Sequence, residues 1–91
     1  MNTVHVRVEG RVQGVFFRDC TRKEANTIGL KGWVMNTTDG AVECVLQGAD
    51  NEIRKMSEWL HLGSPQSIVT SVIFTTINDS KRYNDFEIRY L

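Results

Sequence analysis

Cysteine is nearly absent from this sequence: only Cys20 and Cys44 occur, and their spacing fits no metal or redox motif. They read as free thiols. An excess of charge of either sign is also missing, because eleven Lys and Arg balance eleven Asp and Glu for a formal net charge of zero. That balance argues against a generic nucleic-acid binder and against a membrane-surface binder. No apolar run approaches the roughly 20 residues that cross a bilayer, and the first residues lack a signal-like apolar stretch. The expectation is a cytoplasmic monomer whose partners include neither nucleic acid nor membrane. Histidine is scarce too. His5 and His61 are far apart and lack companion ligands, so neither a zinc site nor any other metal is expected. Ser64 and Thr37 have no evident base, which disfavours a Ser-His triad.

What remains is a 91-residue chain, 41% apolar, with no repeats or linkers. It reads as one small domain spanning 1–91, of a size that buries about 60–65% of its unfolded surface. Val4, Val6 and Val8 alternate with His5, Arg7 and Glu9, which predicts a half-buried strand over 3–9. Phe17, Thr21, Ala25 and Ile28 form one stripe of a helix over 18–28, ended by Gly29. A second strand is predicted over 31–37. Thr38-Asp39-Gly40 marks a hairpin leading to a third strand over 41–47, with Val42, Cys44 and Leu46 facing inward. Asp39 and Glu43 read as solvated hairpin residues. Asp50 reads as the N-cap of a second helix with the stripe Ile53, Met56, Trp59 and Leu60, stopped at residues 62–65. A fourth strand over 68–77, a polar loop over 78–84 and a terminal strand over 85–91 complete the chain. Trp33, Trp59, Phe74 and Phe86 are expected in the core. This order is β-α-β-β-α-β plus one short strand. It predicts an α+β, ferredoxin-like sandwich: an antiparallel sheet with both helices on one face.

The stretch from Gly10 to Arg18 joins the first strand to the first helix. Gly10 and Gly14 allow a tight curl there, since glycine takes positive φ without penalty. A curled loop entering a helix N-terminus directs backbone N–H groups at one spot and suits an anion. Arg18 falls in the first helical turn, where the dipole disfavours a cation unless an anion lies between them. Phe16 and Phe17 belong to the mouth of this loop, with Phe17 packing inward. Asn36 lies in a strand-like run although asparagine is depleted in strands. It reads either as a turn-flanking residue or as an amide near Arg18 that orients a water.

The strings Gly10-Arg-Val-Gln-Gly-Val-Phe-Phe-Arg18, Gly32-Trp-Val-Met-Asn-Thr37 and Asp39-Gly-Ala-Val-Glu43 together resemble the acylphosphatase signature. The resemblance continues through Glu58-Trp59-Leu60, Gly63-Ser-Pro65 and Asp85-Phe86. It implies hydrolysis of the carboxyl–phosphate bond of a small-molecule acyl phosphate, with no metal, no cofactor and no phosphoenzyme. By motif match, Arg18 and the amides of Gln13, Gly14, Val15, Phe16 and Phe17 bind the phosphate, and Asn36 positions the water. An anion cradle, one arginine and one asparagine, without base or nucleophile, suits a substrate that carries a good leaving group and helps deprotonate its own attacking water. The alternative is a non-catalytic small-anion-binding module of ferredoxin-like fold, because fold alone does not decide function. An RNA-recognition domain is disfavoured, since the aromatic string such domains need is missing and the open face of strand one holds no stacking aromatic.

Overall fold

A computed structural model describes residues 1–78 and 81–91. It contains strand β1 (Asn2–Arg11), helix α1 (Phe17–Ile28), strands β2 (Lys31–Asn36) and β3 (Val42–Gly48), helix α2 (Asp50–Leu62), and strands β4 (Ile68–Thr76) and β5 (Phe86–Ile88). The strands form one sheet in the order β4-β1-β3-β2-β5. The alternation in β1 has the expected result: Val6 and Val8 are fully buried, and so are Cys44 and Leu46 opposite and diagonal to them on β3. Helices α1 and α2 pack against each other and against this face, contributing Phe17, Thr21 and Ala25 from one and Met56 and Leu60 from the other. The ferredoxin-like arrangement of two helices on one face of a sheet therefore holds.

The sheet is mixed rather than antiparallel throughout. β5 runs parallel to β2, in the register Gly32↔Phe86 and Val34↔Ile88. The chain leaves β4 at one edge and must cross to the other before it can pair, which sets its direction there. Gln47, buried on the open face of the sheet, anchors that crossing: its Nε2 donates to the Lys81 carbonyl at 2.8 Å and its Oε1 accepts the Tyr83 N–H at 3.0 Å. β5 is also shorter than the strand expected over 85–91. Of the polar loop expected over 78–84, residues 79 and 80 lie outside the described residues.

Other boundaries shift for local reasons. β1 extends past Glu9 through an irregularity at Glu9/Gly10, so Gly10 is a sheet residue and not part of the loop. A Cβ at Gly10 would lie 2.1 Å from the Ile68 carbonyl oxygen, at φ +126, so close approach of β4 demands glycine there. α1 starts at Phe17, one residue before the expected Arg18. Ala49, not Asp50, caps α2. The Glu52 carboxylate accepts the Ala49 N–H at 2.9 Å, while Asp50 occupies the first turn and accepts from the Asn2 amide. Asp39 and Glu43 are paired rather than simply solvated: Asp39 accepts from Arg7 at 2.7 Å and Glu43 lies 3.0 Å from His5. Of the four aromatics expected inside, Phe86 is in the core and Trp59 packs against it. Phe74 is 40% exposed beside His61, and Trp33 is half-buried under the Arg89 guanidinium.

Candidate active site

The loop between β1 and α1 is held at several points, and each tie follows from a side chain in or beside it. Val12 and Val15 are buried apolar anchors. Gln13 Nε2 donates to the carbonyls of Thr37 at 2.9 Å and Ala41 at 2.7 Å, tying the loop to the β2–β3 turn. The buried Ser64 hydroxyl donates to the Val15 carbonyl at 2.8 Å, tying it to the segment after α2. Between these ties the backbone takes two left-handed conformations, Gly14 at φ 74 and Phe16 at φ 61. A Cβ at Gly14 would meet nothing within 4 Å, so glycine is favoured there by conformation and not by space. A phenylalanine in the left-handed region stores strain of about 1–3 kcal/mol, which the buried residues on either side sustain. Such alternation turns successive N–H groups into a concave nest for anions.

α1 opens at the end of this nest. Its first hydrogen bond runs from the Cys20 N–H to the Phe16 carbonyl at 3.0 Å, which leaves the preceding N–H groups without intrahelical acceptors. Among the described residues, no protein acceptor takes the N–H groups of residues 14–18. Arg18, the second residue of the helix, makes no ion pair among the described residues; its guanidinium lies over the Tyr90 ring, 5.3 Å from the centroid. The adjacent carboxylate does not neutralise it. Asp19 is engaged by Arg22 at 2.8 Å and Lys23 at 3.1 Å, and the hydrogen bond from Lys23 draws its pKa below the ordinary carboxylate value.

Asn36 reaches the same place from the sheet. It is the last residue of β2, opposite Val42, and shares the helix-side face with buried Val34. The turn after it is closed by the Thr37 N–H bonding the Ala41 carbonyl at 2.9 Å. The Thr37 hydroxyl accepts the Ala41 N–H at 2.9 Å and donates to Asp39, whose pKa this bond and Arg7 lower to about 2. With its backbone so fixed, Asn36 has a side-chain oxygen, Oδ1, that is buried and accepts no hydrogen bond from the described residues. A buried acceptor left without a donor costs about 1–3 kcal/mol and calls for a partner. Asn36, Arg18, Gly14 and Phe16 line one cleft of about 370 Å³, at the small end of small-molecule sites.

The sequence profile of the acylphosphatase family matches residues 4–88. The chain belongs to the acylphosphatase family. An acylphosphatase of Paraburkholderia xenovorans is 46% identical over 87 residues, 96% of this chain and 90% of that protein. The crystal structure of an acylphosphatase from Bacillus subtilis superposes with a TM-score of 0.95 at 38% identity, covering 99% of this chain and 100% of the other. A Coxiella burnetii acylphosphatase structure gives 0.92 at 43% identity, covering 97% and 92%.

In this family member the cleft differs in part from the sequence expectation. The side chains of Gln13 and Val15 do not line it; the first is spent on the β2–β3 turn and the second on the core. Phe17 does line it, while its ring is turned inward against Trp59, at 5.8 Å between centroids. Asp19, Ile88 and Tyr90 line it and were not anticipated. Ile88 and Tyr90 arrive through the parallel pairing of β5, whose only sequence signal is the alternation Phe86, Ile88, Tyr90. The histidines stand elsewhere, His5 beside Glu43 and His61 bonded to the Ser57 carbonyl. No group of three His, Cys, Asp or Glu capable of holding a metal occurs among the described residues. Cys44 is a free thiol whose pKa burial pushes up to about 12.

Proposed function

We propose that this chain hydrolyses acyl phosphates to carboxylate and inorganic phosphate, with Arg18 and the amides of residues 13–18 holding the phosphoryl group and Asn36 orienting the attacking water. The observation that carries this reading is that Asn36 and Arg18 line one cleft, with the buried Oδ1 of Asn36 left without a donor among the described residues. The Asn36 amide, which can both donate and accept, orients a water there, and a planar guanidinium takes two phosphoryl oxygens at once. The water oxygen then bonds to phosphorus as the bond from phosphorus to the acyl oxygen breaks. The electron pair leaves on the carboxylate, and the water proton passes to a phosphoryl oxygen. Neither Arg18 nor Asn36 needs to change charge. The contributions are in-line placement of water and phosphorus, and fixed donors around the phosphoryl oxygens.

The same reading makes the chain a single domain over 1–91 that acts as a monomer on a small molecule, without nucleic acid. Its free thiols suit a reducing compartment such as the cytoplasm. The test is hydrolysis of benzoyl phosphate by the purified protein, followed by loss of substrate absorbance. Turnover is expected, and it is expected to be undiminished in excess EDTA. Activity that disappears with EDTA and returns with Mg²⁺ or Zn²⁺ would contradict the metal-free mechanism.

A further expected outcome concerns the loop. Inorganic phosphate at tens of millimolar should raise the melting temperature and inhibit competitively, because it binds the native state alone. Gly14→Ala should weaken both effects and cost about 1 kcal/mol or more, since alanine resists φ 74 even with open space around it. Phosphate that shifts no melting curve and inhibits nothing would mean that the nest is not an anion site.

A further inference from the structure

Asn36 can aim a water only if its amide stands at a fixed place relative to the phosphate nest, yet sheet pairing does not join the two. β3 lies between β1 and β2, so the loop leaving β1 and the end of β2 are two strand positions apart, roughly 10 Å. Among the described residues, no backbone hydrogen bond runs from residues 12–16 to β2 or to the turn after it. Ser64 holds the loop from another side, toward the end of α2. The side chain of Gln13 spans the gap. Its amide nitrogen carries two hydrogens and both are spent, one on the Thr37 carbonyl at 2.9 Å and one on the Ala41 carbonyl at 2.7 Å. Thr37 follows Asn36 directly, and Ala41 precedes Val42, the residue paired with Asn36 across the hairpin. Gln13 therefore grips the two residues that flank the Asn36–Val42 pair. At its other end its backbone adjoins Gly14, where the left-handed turn of the nest begins.

The hairpin turn does not need this glutamine in order to close. The Thr37 N–H bonds the Ala41 carbonyl at 2.9 Å, and the Ala41 N–H bonds the Thr37 hydroxyl at 2.9 Å. What is left for Gln13 is the register between turn and nest. Resting on the hydrolase reading above, we propose that Gln13 is a positioning residue: through Thr37 and Ala41 its side chain sets Asn36, and with it the water, in line with a phosphoryl group seated in the nest. The side chain itself does not line the cleft. A misplacement of about 1 Å at a reacting centre costs on the order of 100-fold in rate, so a tie of this kind acts on turnover. Anion binding behaves differently. Arg18 and the loop amides hold the phosphate wherever Asn36 stands, so the signature of the role is a loss of kcat with phosphate affinity kept.

The test measures kcat for benzoyl phosphate and the inhibition constant of inorganic phosphate in the wild type, Gln13→Leu, Asn36→Ala and the double variant. Leucine has a similar volume and no donor, and the turn keeps its own hydrogen bonds. In Gln13→Leu, kcat should fall by about 10- to 100-fold while the inhibition constant changes by less than about threefold. Added to Asn36→Ala, the same substitution should lower kcat by less than about threefold, because no amide is left to be placed. Gln13→Asn, whose amide is one methylene shorter, should show the same split at a smaller loss, and it carries the test if the leucine variant does not fold. A purely structural role gives a different pattern, since a loosened loop weakens the nest for phosphate and lowers kcat equally with or without Asn36. Either of those results, or a kcat in the folded Gln13 variants that matches the wild type, would overturn the proposal and leave the hydrolase reading intact. Wild-type protein that turns over no benzoyl phosphate would instead overturn the hydrolase reading, and this proposal with it.

Discussion

Arg18→Gln is expected to lower kcat/KM for an acyl phosphate by about 10²–10⁴-fold, with KM raised and kcat reduced together. The phosphoryl oxygens are negative in the bound substrate and remain so through the transition state, so the guanidinium serves binding and chemistry alike. Glutamine retains some hydrogen-bonding capacity but loses the charge and the two-pronged donor geometry. Arg18→Lys restores the charge without the fork and should recover only part of the loss. Stability should hardly move. Among the described residues the guanidinium's one partner is the Tyr90 ring, a contact of about 0.5–1 kcal/mol at an exposed position. Against that, a cation at the second residue of α1 opposes the helix dipole, which costs about 0.3–1 kcal/mol. The two effects nearly cancel. Kinetics and urea unfolding of the same Arg18→Gln preparation check this. Activity lost together with several kcal/mol of stability would make Arg18 a structural residue and withdraw the phosphate clamp.

Asn36→Ala is expected to act on turnover and not on phosphate binding. Asn36 lines the cleft and its buried Oδ1 has no donor among the described residues, so removing the side chain breaks no hydrogen bond of that oxygen and relieves a buried acceptor of its desolvation cost. The fold should be as stable as the wild type or slightly more so. The anion remains held by Arg18 and the loop, so inhibition by inorganic phosphate should persist with its constant changed by less than about threefold. The water, however, is no longer placed in line with the breaking bond. Loss of one well-aligned positioning group corresponds to about 10²–10³ in kcat. Asn36→Asp offers a contrast, because a carboxylate in the cleft repels the phosphoryl group and should impair binding as well. Near-normal kcat in Asn36→Ala would return this residue to a purely turn-flanking role.

How much of this was legible in the sequence depends on whether the decisive signal was local. The Val4-Val6-Val8 alternation, the Phe17-Thr21-Ala25 stripe and the Asp39-Gly40 turn each act within a few residues, and each produced the element it predicts. Arg18 and Asn36 were readable as residues out of place, a cation at a helix N-terminus and an amide in a strand. Their meeting in one cleft follows from β2 and α1 being neighbours on the sheet. Gln13 was less legible. Its side chain serves the β2–β3 turn through two carbonyls more than twenty residues away, and no local pattern reports such a tie. The direction of β5 was the main miss. A three-residue strand carries too little alternation to declare its partner, and its parallel pairing depends on how Gln47 holds the crossing segment over the open face. Ile88 and Tyr90 were missed for the same reason, since they enter the cleft only as a consequence of that pairing. Gly10 was legible as a glycine with a purpose, but the purpose is the approach of β4 and not the curl of the loop.

The central claim is that a water held by Asn36 attacks phosphorus, and the position of the new oxygen tests it most directly. Benzoyl phosphate hydrolysed by the protein in ¹⁸O-labelled water, well above the rate in buffer alone, should place the label in inorganic phosphate and leave benzoate unlabelled. Label found in benzoate would mean attack at the acyl carbon, and a rate no greater than that of buffer would mean no catalysis; either result would contradict the account.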